Sequence, residues 1–151
     1  MALEMAVPPH LLIVEARFYP EIADALSSGA VAAIEAAGAS HERVVVPGAF
    51  EIPAAIGFAI DGGAYDGYLA LGCVIRGETS HYDYICLESA RGLADLALNR
   101  GAALGYGILT CETYDQAMAR AAVDGRNKGR VVAEACLAMI ALKRKFGAMG
   151  R

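Results

Sequence analysis

The sequence predicts an α/β fold, a small doubly wound domain with a four-stranded parallel sheet and helices on both faces. Short aliphatic runs alternate with helical patterns of about ten residues or more, the pattern that β-α-β crossovers impose on a parallel sheet. The chain has 151 residues, which fits a single domain, 1–151, with a core of its own. The third observation is one of placement. The segments that leave the strand ends carry the unusual side chains, and parallel strands deliver all of those segments to one edge.

The first strand is His10-Leu11-Leu12-Ile13-Val14-Glu15-Ala16, broken by Arg17-Phe18-Tyr19-Pro20. A helix follows from about Glu21, with Ile22, Ala25, Leu26, Ala30, Ala33, Ile34 and Ala37 at helical spacing and Gly38 as its stop. Glu42 to Val46 is a β-branched second strand ended by Pro47-Gly48. Ala49-Phe50-Glu51-Ile52-Pro53 opens a second helix, with the proline in the first turn, where its missing N–H is harmless. Tyr68 to Leu71 reads as a buried third strand, and Ile85 to Leu98 as a long third helix ending near Gly101. Gly105 to Thr110 is the fourth strand, Tyr114 to about Ala121 a short helix, and Val131 to Phe146 the last. The tails, 1–9 and 147–151, are expected to be flexible.

The composition excludes several classes. Hydrophobic residues make up 56% of the chain and charged residues 20%, with a mean hydropathy of +0.40. No apolar run approaches the ~18 residues of a membrane helix, so no membrane partner is expected. The start, Met1-Ala2-Leu3-Glu4-Met5, has an acid and no basic region, so no secretory signal is expected either. An apolar excess without a membrane span predicts burial between subunits. A net charge of −4 argues against nucleic acid as a partner. Cys73, Cys86, Cys111 and Cys136 form no C-x-x-C pair and have no histidine at zinc spacing, and their apolar neighbours make them read as buried, reduced thiols in a cytoplasmic protein.

The chain is organised around Gly72 to Tyr84, a strand end, a polar turn and a helix start. Arg76, Glu78, Thr79, Ser80 and His81 fall within six positions. Of the three histidines only His81 lies at the carboxyl edge, where an imidazole can relay protons near neutral pH. From position alone it serves equally well as a capping or packing residue. Arg76-Gly77-Glu78-Thr79 suits an anion at a helix amino end, or is an ordinary turn capped by Thr79 or Ser80. Arg120 and the Asn127-Lys128-Gly129-Arg130 run offer a second cationic cluster, without the spacing of a nucleotide-binding P-loop, or are simply a solvated loop and a helix end. Phe18 and Phe50 offer stacking faces to a planar ligand, or satellite core. Glu51 can accept from polyol hydroxyls, or simply complement a helix dipole. The pattern thus points to a planar, polyol-bearing or phosphorylated ligand with one candidate acid/base.

Val46-Pro47-Gly48-Ala49-Phe50-Glu51-Ile52-Pro53, together with Gly72 to Tyr84, Gly107 to Thr110 and Asn127-Lys128-Gly129, resembles the lumazine synthases. The resemblance runs from Leu11 to about Phe146. It implies a flavodoxin-like three-layer α/β/α sandwich and a transferase of riboflavin biosynthesis. The implied reaction condenses 5-amino-6-(D-ribitylamino)uracil with 3,4-dihydroxy-2-butanone 4-phosphate. It gives 6,7-dimethyl-8-ribityllumazine, phosphate and water, with no cofactor and no metal. It also implies a pentamer, in many members assembled into a sixty-subunit shell or paired, with riboflavin synthase as a candidate partner.

Matched position by position, the resemblance puts Phe18 under the pyrimidine and Ala49, Phe50 and Glu51 along the ribityl chain. Cys73, Val74 and Ile75 meet the uracil edge, Glu78 and Thr79 receive the phosphorylated substrate, and His81 is the acid/base. A neighbouring subunit supplies Tyr106 to close the pocket, Arg120 to grip phosphate, and Lys128 close by. Ser80 replaces a common proline, Tyr19 a common asparagine and Tyr106 a common phenylalanine. The 122–125 loop differs from that of shell-forming members but has no insertion, which leaves shell against free pentamer open. A flavin-binding protein without catalysis, and a structural shell paralogue, are the rival readings. Keeping both His81 and Arg120 favours the enzyme, because a mere binder needs neither a proton relay nor a leaving-group clamp.

Overall fold

A computed structural model of the chain describes residues 7–149. Four strands, β1 (His10–Ala16), β2 (Ser40–Val46), β3 (Gly67–Ile75) and β4 (Leu104–Cys111), form one sheet in the order β2-β1-β3-β4. All three pairings are parallel, with His10 opposite Ser40, Leu11 opposite Gly67 and Tyr68 opposite Leu104. The helices are α1 (Pro20–Ala36), α2 (Ile52–Gly62), α3 (His81–Arg100), α4 (Tyr114–Ala121) and α5 (Lys128–Met149). The expected three-layer α/β/α sandwich is the one observed.

Alternation along the strands divides the core in two. Leu11 and Ile13 of β1 face one side, where Ile22 and Leu26 of α1, Ala117 of α4 and Val132 and Cys136 of α5 close over them. Leu12, Val14 and Ala16 face the other, under Ile52 and Ile56 of α2 and Leu93 of α3. On the first side α1 and α5 approach very closely: a Cβ on Gly129 would lie 2.0 Å from the Leu26 carbonyl oxygen. On the second side contact is sparse. Of the 20 residues of α3 only Ser89 and Leu93 are buried, while Leu98 is 84% and Leu87 63% exposed.

Element ends follow local chemistry. Gly101, in the left-handed region at φ 64°, stops α3, a conformation that costs glycine nothing. The last helix starts earlier than its apolar periodicity indicates. Asn127 adopts φ 48°, and its carbonyl accepts the Val131 N–H at 3.3 Å, closing the first turn. Residues 1–6 and 150–151 of the tails lie outside the described residues. Pro9 is buried, and its carbonyl accepts the Ser40 N–H at 3.0 Å. No helix of the described residues is long and apolar enough to cross a membrane.

Candidate active site

β1 and β3 are neighbours whose chains leave toward opposite faces, α1 on one and α3 on the other. Open sheets bind ligands at such a switch point, outside the carboxyl ends of the strands. A cleft of about 420 Å³ opens there. Ala16, Phe18 and Tyr19 line it from the end of β1, and Gly48 to Glu51 from beyond β2. Cys73, Val74 and Ile75 line it from the end of β3, and His81 and Ile85 from the first turns of α3. Eight of the sequence-predicted residues therefore meet in one place: Phe18, Ala49, Phe50, Glu51, Cys73, Val74, Ile75 and His81.

Each wall is built locally. Past Pro47-Gly48 the chain makes one turn of 3-10 helix, Ala49–Glu51, before α2. That turn buries Ala49, leaves Phe50 exposed toward the cleft, and folds the Glu51 carboxylate back along Gly48. A Cβ on Gly48 would come within 3.2 Å of Glu51 Oε1. Phe18 meets Tyr19 edge to face at 4.9 Å, and Tyr19 in turn meets Tyr114 at 6.1 Å. Burial raises the Tyr19 hydroxyl above its ordinary range. At the floor, burial and the neighbouring cysteines push the Cys73 thiol up to about 12. Cys73 is therefore a thiol at neutral pH and no nucleophile.

The 76–80 turn is fastened at its start. Arg76 donates from Nε to Glu112 Oε1 at 2.8 Å and from Nη1 to Asp83 Oδ1 at 3.3 Å, and its guanidinium lies 4.3 Å over the Tyr82 ring. The Arg76 fork is thus engaged by carboxylates. Thr79, not Ser80, meets the start of α3, its Oγ1 accepting the His81 N–H at 3.3 Å. His81 is exposed to solvent on the rim of the cleft.

The sequence model for 6,7-dimethyl-8-ribityllumazine synthase matches residues 8–144. Proteins of that name are similar along nearly the whole chain. The one from Bartonella tribocorum is 55% identical over 97% of this chain and 98% of its own length. The one designated 1 in Rhizobium meliloti is 56% identical over 93% and 95%, and that of Methylobacterium radiotolerans 60% over 89% and 82%. The chain belongs to the 6,7-dimethyl-8-ribityllumazine synthase family. It is a transferase of riboflavin biosynthesis, as the resemblance implied.

Five of the residues expected at the family's site lie outside the cleft. Glu78 and Thr79 are on the exposed turn joining β3 to α3. Tyr106 lies on β4 and lines a separate apolar hollow of about 240 Å³ with Leu93, Ala94 and Ala97 of α3. Arg120 is at the end of α4, which starts with a capping box: Thr113 Oγ1 accepts the Gln116 N–H at 3.2 Å, and Gln116 Oε1 accepts from Thr113 N–H. Arg120 donates to the Gln116 carbonyl at 2.9 Å. Its charge offsets part of the burial that raises the Cys111 thiol. Lys128 opens α5, exposed. The cleft also includes groups that pattern reading did not single out. Ile85 looked like ordinary helix periodicity, although four residues from His81 it shares that residue's face.

Proposed function

We propose that the cleft holds 5-amino-6-(D-ribitylamino)uracil and that a second copy of the chain completes the site for 3,4-dihydroxy-2-butanone 4-phosphate. The observation that carries this reading is the division of residues: a stacking ring, a polyol acceptor, a strand edge and one imidazole line a single cleft, while the cations needed for phosphate lie elsewhere. Phe18 stacks on the pyrimidine, Glu51 accepts from ribityl hydroxyls beside Ala49 and Phe50, and the Cys73–Ile75 backbone meets the uracil edge. Glu78 and Thr79 border the phosphorylated substrate. The neighbour's Tyr106 covers the pocket, its Arg120 grips the phosphate, and its Lys128 adds charge.

Catalysis then needs little beyond positioning and one proton relay. The aromatic amine adds to the ketone carbon, and His81 moves the proton lost by nitrogen toward the carbinol oxygen. Water leaves to give the imine, phosphate departs by elimination to leave a carbonyl, and the second amine closes the ring on that carbonyl with loss of a second water. A guanidinium fork suits the departing phosphate better than the point charge of a lysine. Bringing two small substrates together supplies much of the remaining acceleration. The sparse cover over α3 supports the family's pentamer as the assembly, and four free thiols suit the cytosol.

The test is the absorbance of lumazine when the purified protein meets both substrates. Formation well above the uncatalysed background, slowed but not abolished by His81→Ala, is the expected result. Full activity in His81→Ala would remove the imidazole from the mechanism. Background-level formation with tight binding of lumazine would make the protein a binder.

A further inference from the structure

Phe18 is the least supported ring of the cleft. It is 76% exposed, and among the described residues its ring contact is the edge of Tyr19. Core packing cannot set where such a ring points, so the backbone at 17–19 must. Tyr19 is braced from one side by Tyr114. Arg17 is held from the other side, by a group outside the cleft. Its Nη1 donates to Glu15 Oε1 at 2.7 Å and its Nη2 to Asp24 on α1.

Glu15 is an anomaly for a strand interior, a carboxylate only 2% exposed in β1. It also accepts from Arg43 of β2, Nε to Oε2 at 2.6 Å and Nη2 to Oε1 at 3.2 Å. A carboxylate taken out of water is tolerable only when paired and hydrogen-bonded, and these two guanidiniums stay charged at any pH the protein meets. Glu15 and Asp24 balance Arg17 and Arg43. One buried anion therefore ties β1, β2 and the segment that carries Phe18 into a single charge-neutral knot. Releasing Arg17 from it strands part of the pairing, so the segment has one strongly preferred course.

We propose that Glu15 is a positioning residue: through Arg17 it fixes Phe18 where the ring stacks on the pyrimidine, and so sets affinity for that substrate without touching it. The inference rests on reading the cleft as the pyrimidine site. Steady-state constants for each substrate, with direct calorimetric binding of the aminouracil, test it in wild type, Glu15→Gln and Arg17→Met. The KM and Kd for the aminouracil rise about tenfold in both variants, while kcat falls less than KM rises and the KM for the butanone phosphate stays within about twofold.

Arg17→Met leaves the Glu15–Arg43 pair intact and decides the matter if Glu15→Gln does not fold. In a Phe18→Ala background Arg17→Met raises the aminouracil KM no further, because the ring to be positioned is gone. A loss spread evenly over both substrates, additivity with Phe18→Ala, or an unchanged aminouracil affinity overturns the inference. Wild-type turnover with unaltered variants sinks the inference alone. If wild type binds the aminouracil without turnover, the Kd values decide the inference while the catalytic reading falls. If it neither binds nor turns over, both fall.

Discussion

The two faces of the sheet are finished to different degrees. Toward α1, α4 and α5 the chain seals itself: α1 buries seven of its 17 residues, and glycines let α5 close on it to backbone contact. Toward α2 and α3 it does not, since α3 buries two of 20 and presents Tyr84, Leu87 and Leu98 to solvent. Burial of apolar area is the main favourable term in folding and association. The first face is therefore completed by folding, while the second is left open, as the proposed assembly with another copy requires. Tyr106 sits in the apolar hollow of that second face, so under the proposed shared site association and assembly of the active site would be one event.

The sharpest way to break this division is to separate the half-sites genetically. Arg120→Ala is expected to lower kcat/KM by about 10²–10³, the scale of losing one strong charge-stabilising donor. Phe18→Asp, at an exposed position, removes the stacking face and should be comparably inactive. Dissociated together and reassembled at equal amounts, the two variants should regain about a quarter of wild-type activity, because random neighbours pair an intact cleft with an intact Arg120 that often. No recovery above the separate variants would place the whole site in one chain.

A smaller contrast separates the two faces energetically. Ile22, fully buried on the inner face of α1, should cost about 2–5 kcal/mol of stability when cut to alanine, with the assembly state unchanged in sedimentation. Leu87→Asp and Leu98→Asp, at exposed positions of α3, should leave the unfolding of the isolated chain within about 0.5 kcal/mol while shifting sedimentation to smaller species. If the α3 variants assemble normally, that face is not where copies meet.

Much of this was legible in the sequence because the fold is locally written. Aliphatic runs, the prolines at helix starts and the glycine stops place the elements, and the Pro47–Pro53 and Gly72–Tyr84 stretches place seven of the eight predicted cleft residues, Phe18 coming from the break after the first strand. Three kinds of feature were not legible. The third strand extends to Gly67 and Ile75 because both its faces are covered, which apolar content alone does not bound. Ile85 joins the cleft through packing direction, and residue type says nothing of that. Glu15 is one charge in an aliphatic strand, and its partners Arg17 and Arg43 stand two and 28 positions away. No spacing rule pairs them until the β1–β2 register sets Ile13 opposite Arg43.

The smallest effect concerns the sealed face by itself. Cys136 is fully buried on α5, its Sγ 3.6 Å from the carbonyl oxygens of Tyr68 and Ala103. Burial pushes its thiol up to about 12, from an ordinary value of 9.0. Above pH 9 the unfolded chain loses this proton and the folded chain keeps it, so the folded state binds more protons and stability falls as pH rises. The thiol's contribution is complete below pH 9 and drains away toward 12. A single group can contribute a slope of at most about 1.4 kcal/mol per pH unit. Cys136→Ala should therefore flatten the loss of stability between about pH 9 and 10.5, measured by denaturant unfolding under reducing conditions. Cys73 has the same elevated value at the cleft floor but is only half-buried, so a thiol reagent should reach it before Cys136. An unaltered slope in Cys136→Ala would mean that the thiol ionises in the folded protein and that the face between α5 and the sheet admits water.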